Sequence, residues 1–322
     1  MSRIGYTAMA IGNHEFDNGV DSFVNNFINN VTDNSFPILG CNIDATQEEI
    51  IQNKFQCSTT VDFGQVKVGI IGFITQDTPK ISKTGKLKFN DVTQVVKAES
   101  ARLRSEEECD IVIGVGHYGY QNDIDMASQV DLDIIIGGHS HTLLSSNLDL
   151  LDENDKTKVA GPYPTVEINS EGRPVPICHS FEYGKYLGHL ETVFTKSGRR
   201  RIIENQSDFE GNPILLDSSI PQDEEILAEL ETWKKPVEKM ENAEIGETKV
   251  FLSGDRNIVR RKESILGNLI CDIAAQSQSN RIIDLGPDPE SSQFITPQVR
   301  LAFYNGGGIR GDIPIGKVNL SN

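Results

Sequence analysis

The sequence predicts an α/β fold, and three observations carry that prediction. Apolar runs of strand length alternate with segments whose apolar residues recur at helical spacing. Two of the runs, 110–115 and 132–136, are apolar almost throughout, as suits strands buried on both faces. Three of the runs end in glycine followed by Asn13-His14, by His117, or by His139-Ser-His141. In open α/β sheets the ligand site lies beyond the carboxyl ends of the strands, so these tips are where chemistry is expected.

Taken in order, residues 7–11 read as a short strand, and Val20, Phe23, Phe27 and Val31 then recur at helical spacing. Strands follow at 37–42 and 66–74, the second rich in Val, Ile and Gly. Residues 92–108 place apolar side chains at 92, 95, 96 and 103 among charges, which predicts an amphipathic helix. The buried strand 110–115, a polar helix at 122–129 and the buried strand 132–136 complete this series. From 164 to 195 the pattern changes to β-hairpin material, a candidate second sheet. Residues 212–221 read as a linker. The segment 223–240 then carries one stripe of Ile226, Leu230, Trp233, Val237 and Met240, read as packing surface rather than a cofactor site. Pro236 lies inside that stripe and is expected to kink or end its helix. A second unit begins past Ala243, with a strand at 248–252, a helix at 264–276 and a strand at 300–304 running into NGGGIRGD.

The bulk properties narrow the function. With 322 residues and 37% hydrophobic content the chain buries a substantial core, divided between two domains. A net charge of -17 repels a phosphate backbone and argues against a nucleic-acid partner. No apolar run reaches membrane-spanning length, and the opening residues read as a strand rather than a secretion signal. The five cysteines form no CxxC pair and read as buried thiols. Three Asn-x-Ser/Thr sequons occur at Asn30, Asn205 and Asn319, about the number chance supplies.

The strand-tip clusters point to a metal. Imidazole nitrogens and an Asn carbonyl oxygen are competent ligands for Zn, Mn or Fe. His139 and His141 are two apart, so extended backbone aims both rings the same way. A single strand-end histidine is ordinarily structural, and Asp17 alone reads equally well as a helix cap. Three loaded tips together favour a metal site. His179 and His189 have no partners evident in the sequence and read as structural.

GNHEFD, GHYG and GGHSHT, in this order and spacing, resemble the signature of the calcineurin-like metallophosphoesterases. NGGGIR, with GNLICD upstream, resembles the C-terminal domain of the 5'-nucleotidases, and GNPILLDSSIP and FGQVKVGIIGF support the same family. The resemblance covers essentially the whole chain and reaches animal ecto-5'-nucleotidases and salivary apyrases. It implies a layered metallophosphoesterase domain over 1–220, of two packed mixed sheets flanked by helices, lacking its N-terminal strand and motifs. It further implies a linker helix over 221–243 and a partial α/β substrate-binding domain over 244–322. By this resemblance Asn13, His117 and His139 hold one divalent ion and His141 the other, with zinc first and Mn, Co or Mg as alternatives. His14, kept protonated by Asp17, resembles the catalytic dyad beside the scissile phosphate. Arg260, Asn305, Gly307 and Arg310 match residues that hold the nucleotide.

The resemblance also implies an extracellular or cell-surface location, membrane attachment only through a lipid anchor, and a homodimer in the full-length protein. No Asp-x-His occurs in the chain, and its Gly-Asp pairs, Gly254-Asp255 and Gly311-Asp312, lie in the wrong region to supply a bridging carboxylate. The second metal site is therefore expected to be incomplete and AMP turnover to be slight. An apyrase acting on ATP and ADP is the rival within the same chemistry. A nucleotide- or partner-binding paralogue without turnover is the rival of another class.

Overall fold

The 67–74 segment, KVGIIGFI, sets the frame because its run of apolar residues is buried on both faces. The computed structural model describes residues 2–31, 36–198, 200–283, 302–309 and 311–319. The chain divides into two units, Met1–Ile220 and Pro221–Asn322.

In the first unit, β1 (Met9–Ala10) leads through a turn to α1 (Val20–Asn26) and on to β2 (Ile38–Leu39). Then come β3 (Ser58–Asp62), β4 (Lys67–Ile74), α2 (Val92–Ser105), β5 (Ile111–His117), α3 (Tyr120–Ala127) and β6 (Ile134–Ile136). The hairpin of β7 (Thr165–Ile168) and β8 (Pro174–Cys178) follows, and then the pair β9 (Tyr186–Thr192) and β10 (Phe209–Leu215). Six strands form one mixed sheet in the order β7-β8-β6-β5-β4-β3. Its four central strands are parallel, and each edge adds one antiparallel strand. Parallel strands need crossovers, and α2 and α3 supply them. Asp91 caps α2, its carboxylate accepting from the Gln94 N–H.

α2 and α3 cover one face, where Phe73, Val96, Leu103, Val112, Met126 and Ile135 are buried. Each such side chain contributes roughly 1.5–3 kcal/mol of burial. On the other face Leu39 of β2, which runs parallel to β1, and Ala8, just before β1, pack with Ile113 and Val115. Gly72 permits that approach, since a Cβ there would stand 2.2 Å from the Leu39 Cβ.

Several local expectations are corrected. Residues 212–215 are not linker but the end of β10, which pairs antiparallel with β9 from Tyr186↔Leu215 to Thr192↔Phe209. That pairing spans the intervening small hairpin, so no local turn signal announces it. The thiols of Cys41, Cys109 and Cys178 are buried, whereas Cys57 is exposed and Cys271 only half-buried.

The second unit begins with α4 (Glu224–Glu241), capped by Asp223 and continuous through Pro236 rather than ended by it. No residue of α4 is buried, and Trp233 is 71% exposed. Strand β11 (Glu244–Thr248) precedes the segment where a strand was expected and pairs with β12 (Gly316–Asn319). Leu252 makes only an isolated bridge to Ile313. Between β11 and β12 runs α5 (Ile265–Ile283), and Leu252, Leu266 and Ile309 form a small core. The strand expected at 300–304 falls partly outside the described residues, and 302–304 are not strand. Among the described residues no helix is long and apolar enough to cross a membrane.

Candidate metal centre

Three strand tips meet at one edge of the first unit. β1 continues through Ile11 and Gly12 into a tight turn over Asn13–Phe16. β5 ends on His117, and β6 is followed by Gly137, Gly138 and His139. The register places Ile74 beside His117 and Val115 beside Ile136, so these ends are level. The side-chain oxygen of Asn13 lies 2.9 Å from His117 Nε2 and 3.1 Å from His139 Nδ1. The two imidazole centroids are 5.0 Å apart, and Asn13 is buried. Gly12 makes room: a Cβ there would stand 3.0 Å from His117 Nδ1 and 2.9 Å from Glu15 Oε2. Its N–H donates to that Glu15 oxygen at 2.7 Å, which fixes the turn.

The backbone of the third tip is unusual. His139 and His141 have φ of +75° and +52°. Left-handed backbone costs a non-glycine residue about 1–2 kcal/mol and persists only where the surroundings impose it. Here the Gly137 N–H donates to the Cys178 carbonyl at 2.9 Å, and the Phe181 N–H to the Thr142 carbonyl at 2.9 Å. The Tyr120 N–H donates to Ser140 Oγ at 3.0 Å. The two rings consequently have different partners, contrary to the extended-backbone expectation. His139 turns to Asn13, and His141 Nδ1 lies 2.5 Å from Glu182 Oε2.

His14 Nδ1 is 2.7 Å from Asp17 Oδ2, and Ser82 Oγ donates to Asp17 Oδ1 at 3.1 Å. Hydrogen bonding to His14 first, then to Ser82, holds the Asp17 carboxyl below the usual carboxylate range. The His14 ring is exposed. Burial pushes His117 down to about 4, reinforced by His139, His14, His141 and His179. His139 moves the same way, first through burial and then through His141 and His14. Both rings are therefore neutral at pH 7, the form that ligates a metal.

A divalent ion bound at about 2.0–2.2 Å by tetrahedral N and O donors keeps those donors a little over 3 Å apart. Asn13 Oδ1 stands close to that separation from both His117 Nε2 and His139 Nδ1, so the chemistry of the donor set fits one ion. All three donors are neutral. Among the described residues no group of three His, Cys, Asp or Glu side chains is placed to hold a metal. The convergence exists only when the Asn13 carboxamide is counted.

Three features escaped sequence reading. Glu182 holds His141 from a loop 41 positions away, and no local motif marks it. His179, read as partnerless, has its Nε2 2.8 Å from Asp123 Oδ2 with both groups buried. They pack where a Cβ on Gly137 would come 2.1 Å from His179 Nε2. His189 has a loose partner in Glu191 at 3.5 Å. A cavity of about 910 Å³ lined by Arg104, Asp110, Asp131 and Arg200 opens elsewhere, at the amino end of β5, away from the tips.

In the second unit Gly307 lies on the turn Gly306–Gly308 and Asn305 immediately precedes it, the Gly308 N–H donating to the Asn305 carbonyl at 2.8 Å. A Cβ on Gly306 would stand 2.2 Å from the Val259 carbonyl oxygen and 3.4 Å from the Arg260 Cα, so this turn rests on the backbone that carries Arg260. Arg310 lies outside the described residues.

No protein-family model matches the chain. Curated relatives do. A 5'-nucleotidase of Diplobatis ommata is 36% identical over 96% of this chain and 50% of its own length. An apyrase of Tabanus yao is 33% identical over 100% of this chain and 54% of its own. The crystal structure of a 5'-nucleotidase precursor from Thermus thermophilus superposes with a TM-score of 0.78 at 32% identity, covering 100% of this chain and 58% of that one. The chain thus spans about half the length of the curated relatives it matches. The likeness to 5'-nucleotidases, in sequence and in fold, runs over nearly all of this chain and about half of each relative.

Proposed function

We propose that this chain serves the metal-assisted hydrolysis of nucleoside 5'-phosphates, AMP to adenosine and phosphate. The observation that carries the reading is the single carboxamide oxygen of Asn13 shared between His117 Nε2 and His139 Nδ1. Those three side chains would hold one divalent ion, zinc by preference for an imidazole-rich donor set. His141 is the candidate ligand of a second ion, with Glu182 on its other nitrogen orienting the ring. A bound divalent ion supplies Lewis acidity toward phosphoryl oxygens and lets water act as a nucleophile at neutral pH. Asp17 holds His14 by Nδ1 and leaves Nε2 open to hydrogen-bond the leaving 5'-oxygen as charge develops there. Arg260, Asn305, Gly307 and Arg310 are the proposed nucleotide contacts. The 1–220, 221–243 and 244–322 division is proposed as catalytic domain, linker helix and substrate domain. The family reading also carries the extracellular or cell-surface location and the homodimer of the full-length protein.

A second reading, hydrolysis of ATP and ADP, rests on the likeness to the Tabanus yao apyrase. The experiment is zinc titration of the chain by calorimetry, followed by product analysis with AMP, ADP and ATP. Zinc should bind and slight turnover should release adenosine from AMP. AMP accumulating from ADP would favour the apyrase reading. Zinc affinity unchanged by His117→Ala would refute the site. Fast phosphate release would refute the expectation that three neutral ligands support only slight turnover.

A further inference from the structure

We propose that Cys41 and Cys57 are a disulfide-forming pair, joined by exchange with a low-molecular-weight disulfide such as oxidised glutathione. Cys41 lies two residues beyond β2, and Cys57 immediately precedes β3. Both backbones are tied to the same residue of β4. The Cys41 N–H donates to the Gly72 carbonyl at 2.7 Å, and the Gly72 N–H to the Cys57 carbonyl at 3.2 Å. Leu39 and Gln56 form a parallel bridge, and the Gly40 N–H donates to the Gln56 carbonyl at 2.8 Å. Adjacent parallel segments run about 5 Å apart, and a disulfide joins Cα atoms up to about 7 Å apart. The Cys57 thiol already donates to the Cys41 carbonyl oxygen at 3.8 Å.

The two sulfurs differ in a way that orders the reaction. Cys57 is exposed and Cys41 buried. The Cys57 thiol is pushed down to about 7, first by its bond to Cys41, with the Arg102 guanidinium helping against burial and Glu99. Arg102 also donates to Ser58 Oγ at 3.3 Å, so that cation is fixed next to the Cys57 segment. The Cys41 thiol is pushed up by the same bond and by burial. The Cys57 thiolate therefore attacks one sulfur of the external disulfide. A mixed disulfide forms, and one small thiolate leaves and takes up a proton. Cys41 then loses its proton and its sulfur attacks Cys57 Sγ, expelling the second small thiolate. Two protein thiols are oxidised by two electrons, and the external disulfide is reduced to two thiols. The bond closes the segment that holds Asn42, whose side chain bonds the Ile74 backbone in both directions.

The experiment is incubation of the full chain with oxidised glutathione at pH 8, alkylation of remaining thiols, and mass analysis of an unreduced tryptic digest. The expected product is the peptide from Phe55 to Lys67 joined through Cys57 to the peptide carrying Cys41. Its formation should raise the midpoint of thermal unfolding by about 5 °C or more, because a closed loop restricts the unfolded chain. Cys41→Ser should stop the reaction at glutathione on Cys57. If that variant fails to fold, the linked peptide in the wild type still decides the matter. A wild type that keeps glutathione on Cys57, leaves both thiols alkylated, or links Cys57 to a different cysteine would overturn the proposal.

Discussion

Asn13 and His117 are 104 positions apart in the chain, yet the carboxamide oxygen of one lies 2.9 Å from Nε2 of the other. The same oxygen is 3.1 Å from His139 Nδ1. One short side chain therefore gathers two imidazoles that would otherwise repel a proton from each other. Its removal should be costlier than its size suggests. Asn13→Ala is expected to weaken zinc binding about tenfold or more, as loss of a ligand or its orienting partner does. Competition with a chromophoric chelator reads this directly, and an unchanged affinity would place the ion elsewhere.

Glu182 is expected to act through His141. Glu182→Gln keeps the shape of the contact and removes its charge, so any effect reports on the electrostatics of the 2.5 Å pair. A second zinc equivalent, where one is detected, should bind about 10–100-fold more weakly in that variant. The first equivalent at Asn13 should be unaffected. Loss of both together would show instead that the loop had collapsed.

The Glu182 loop has its own anchor. Asp155 accepts from Lys158 Nζ at 2.7 Å, Lys185 Nζ at 2.6 Å and the Tyr186 hydroxyl at 3.0 Å. Burial alone would raise this carboxyl; its bonds to Lys158, Lys185 and Tyr186 overcome that and hold it down to about 2. A depressed carboxyl contributes stability that is present above the ordinary value of 3.8 and lost as the pH falls through the folded value. The stability difference between wild type and Asp155→Asn should thus be constant above about pH 4 and shrink toward pH 2. Urea unfolding across that range measures it, and a difference that grows on acidification would contradict the bonding described.

Gly116 is a packing test of the strand that carries His117. A Cβ there would stand 1.9 Å from Cε2 of Phe73, a ring with no exposed surface and no room to retreat. Gly116→Ala should destabilise the first unit by about 1–3 kcal/mol, and more if the ring is driven off its rotamer. Gly64→Ser, at a turn whose Cβ direction is open but whose φ is +82°, should cost only the smaller strain of left-handed backbone. Equal costs at the two positions would mean that Phe73 yields more readily than its burial implies.

The sequence by itself determined the alternation of strands and helices and the three loaded strand tips. Burial on two faces writes a continuous apolar run, as in β4 and β5, and an amphipathic helix writes its period, as in α2. Asn13, His117 and His139 were legible because each directly follows such a run, so local pattern and site position coincide. Tertiary structure alone decided what those side chains touch. It put His139 and His141 in left-handed backbone, gave His141 to Glu182, and buried Asp123 against His179. It also paired β9 with β10, whose last residues read as linker. The physical reason is the range of the signal: periodicity reports which face of an element is buried, whereas a partner distant in the chain leaves no mark on its neighbours in sequence.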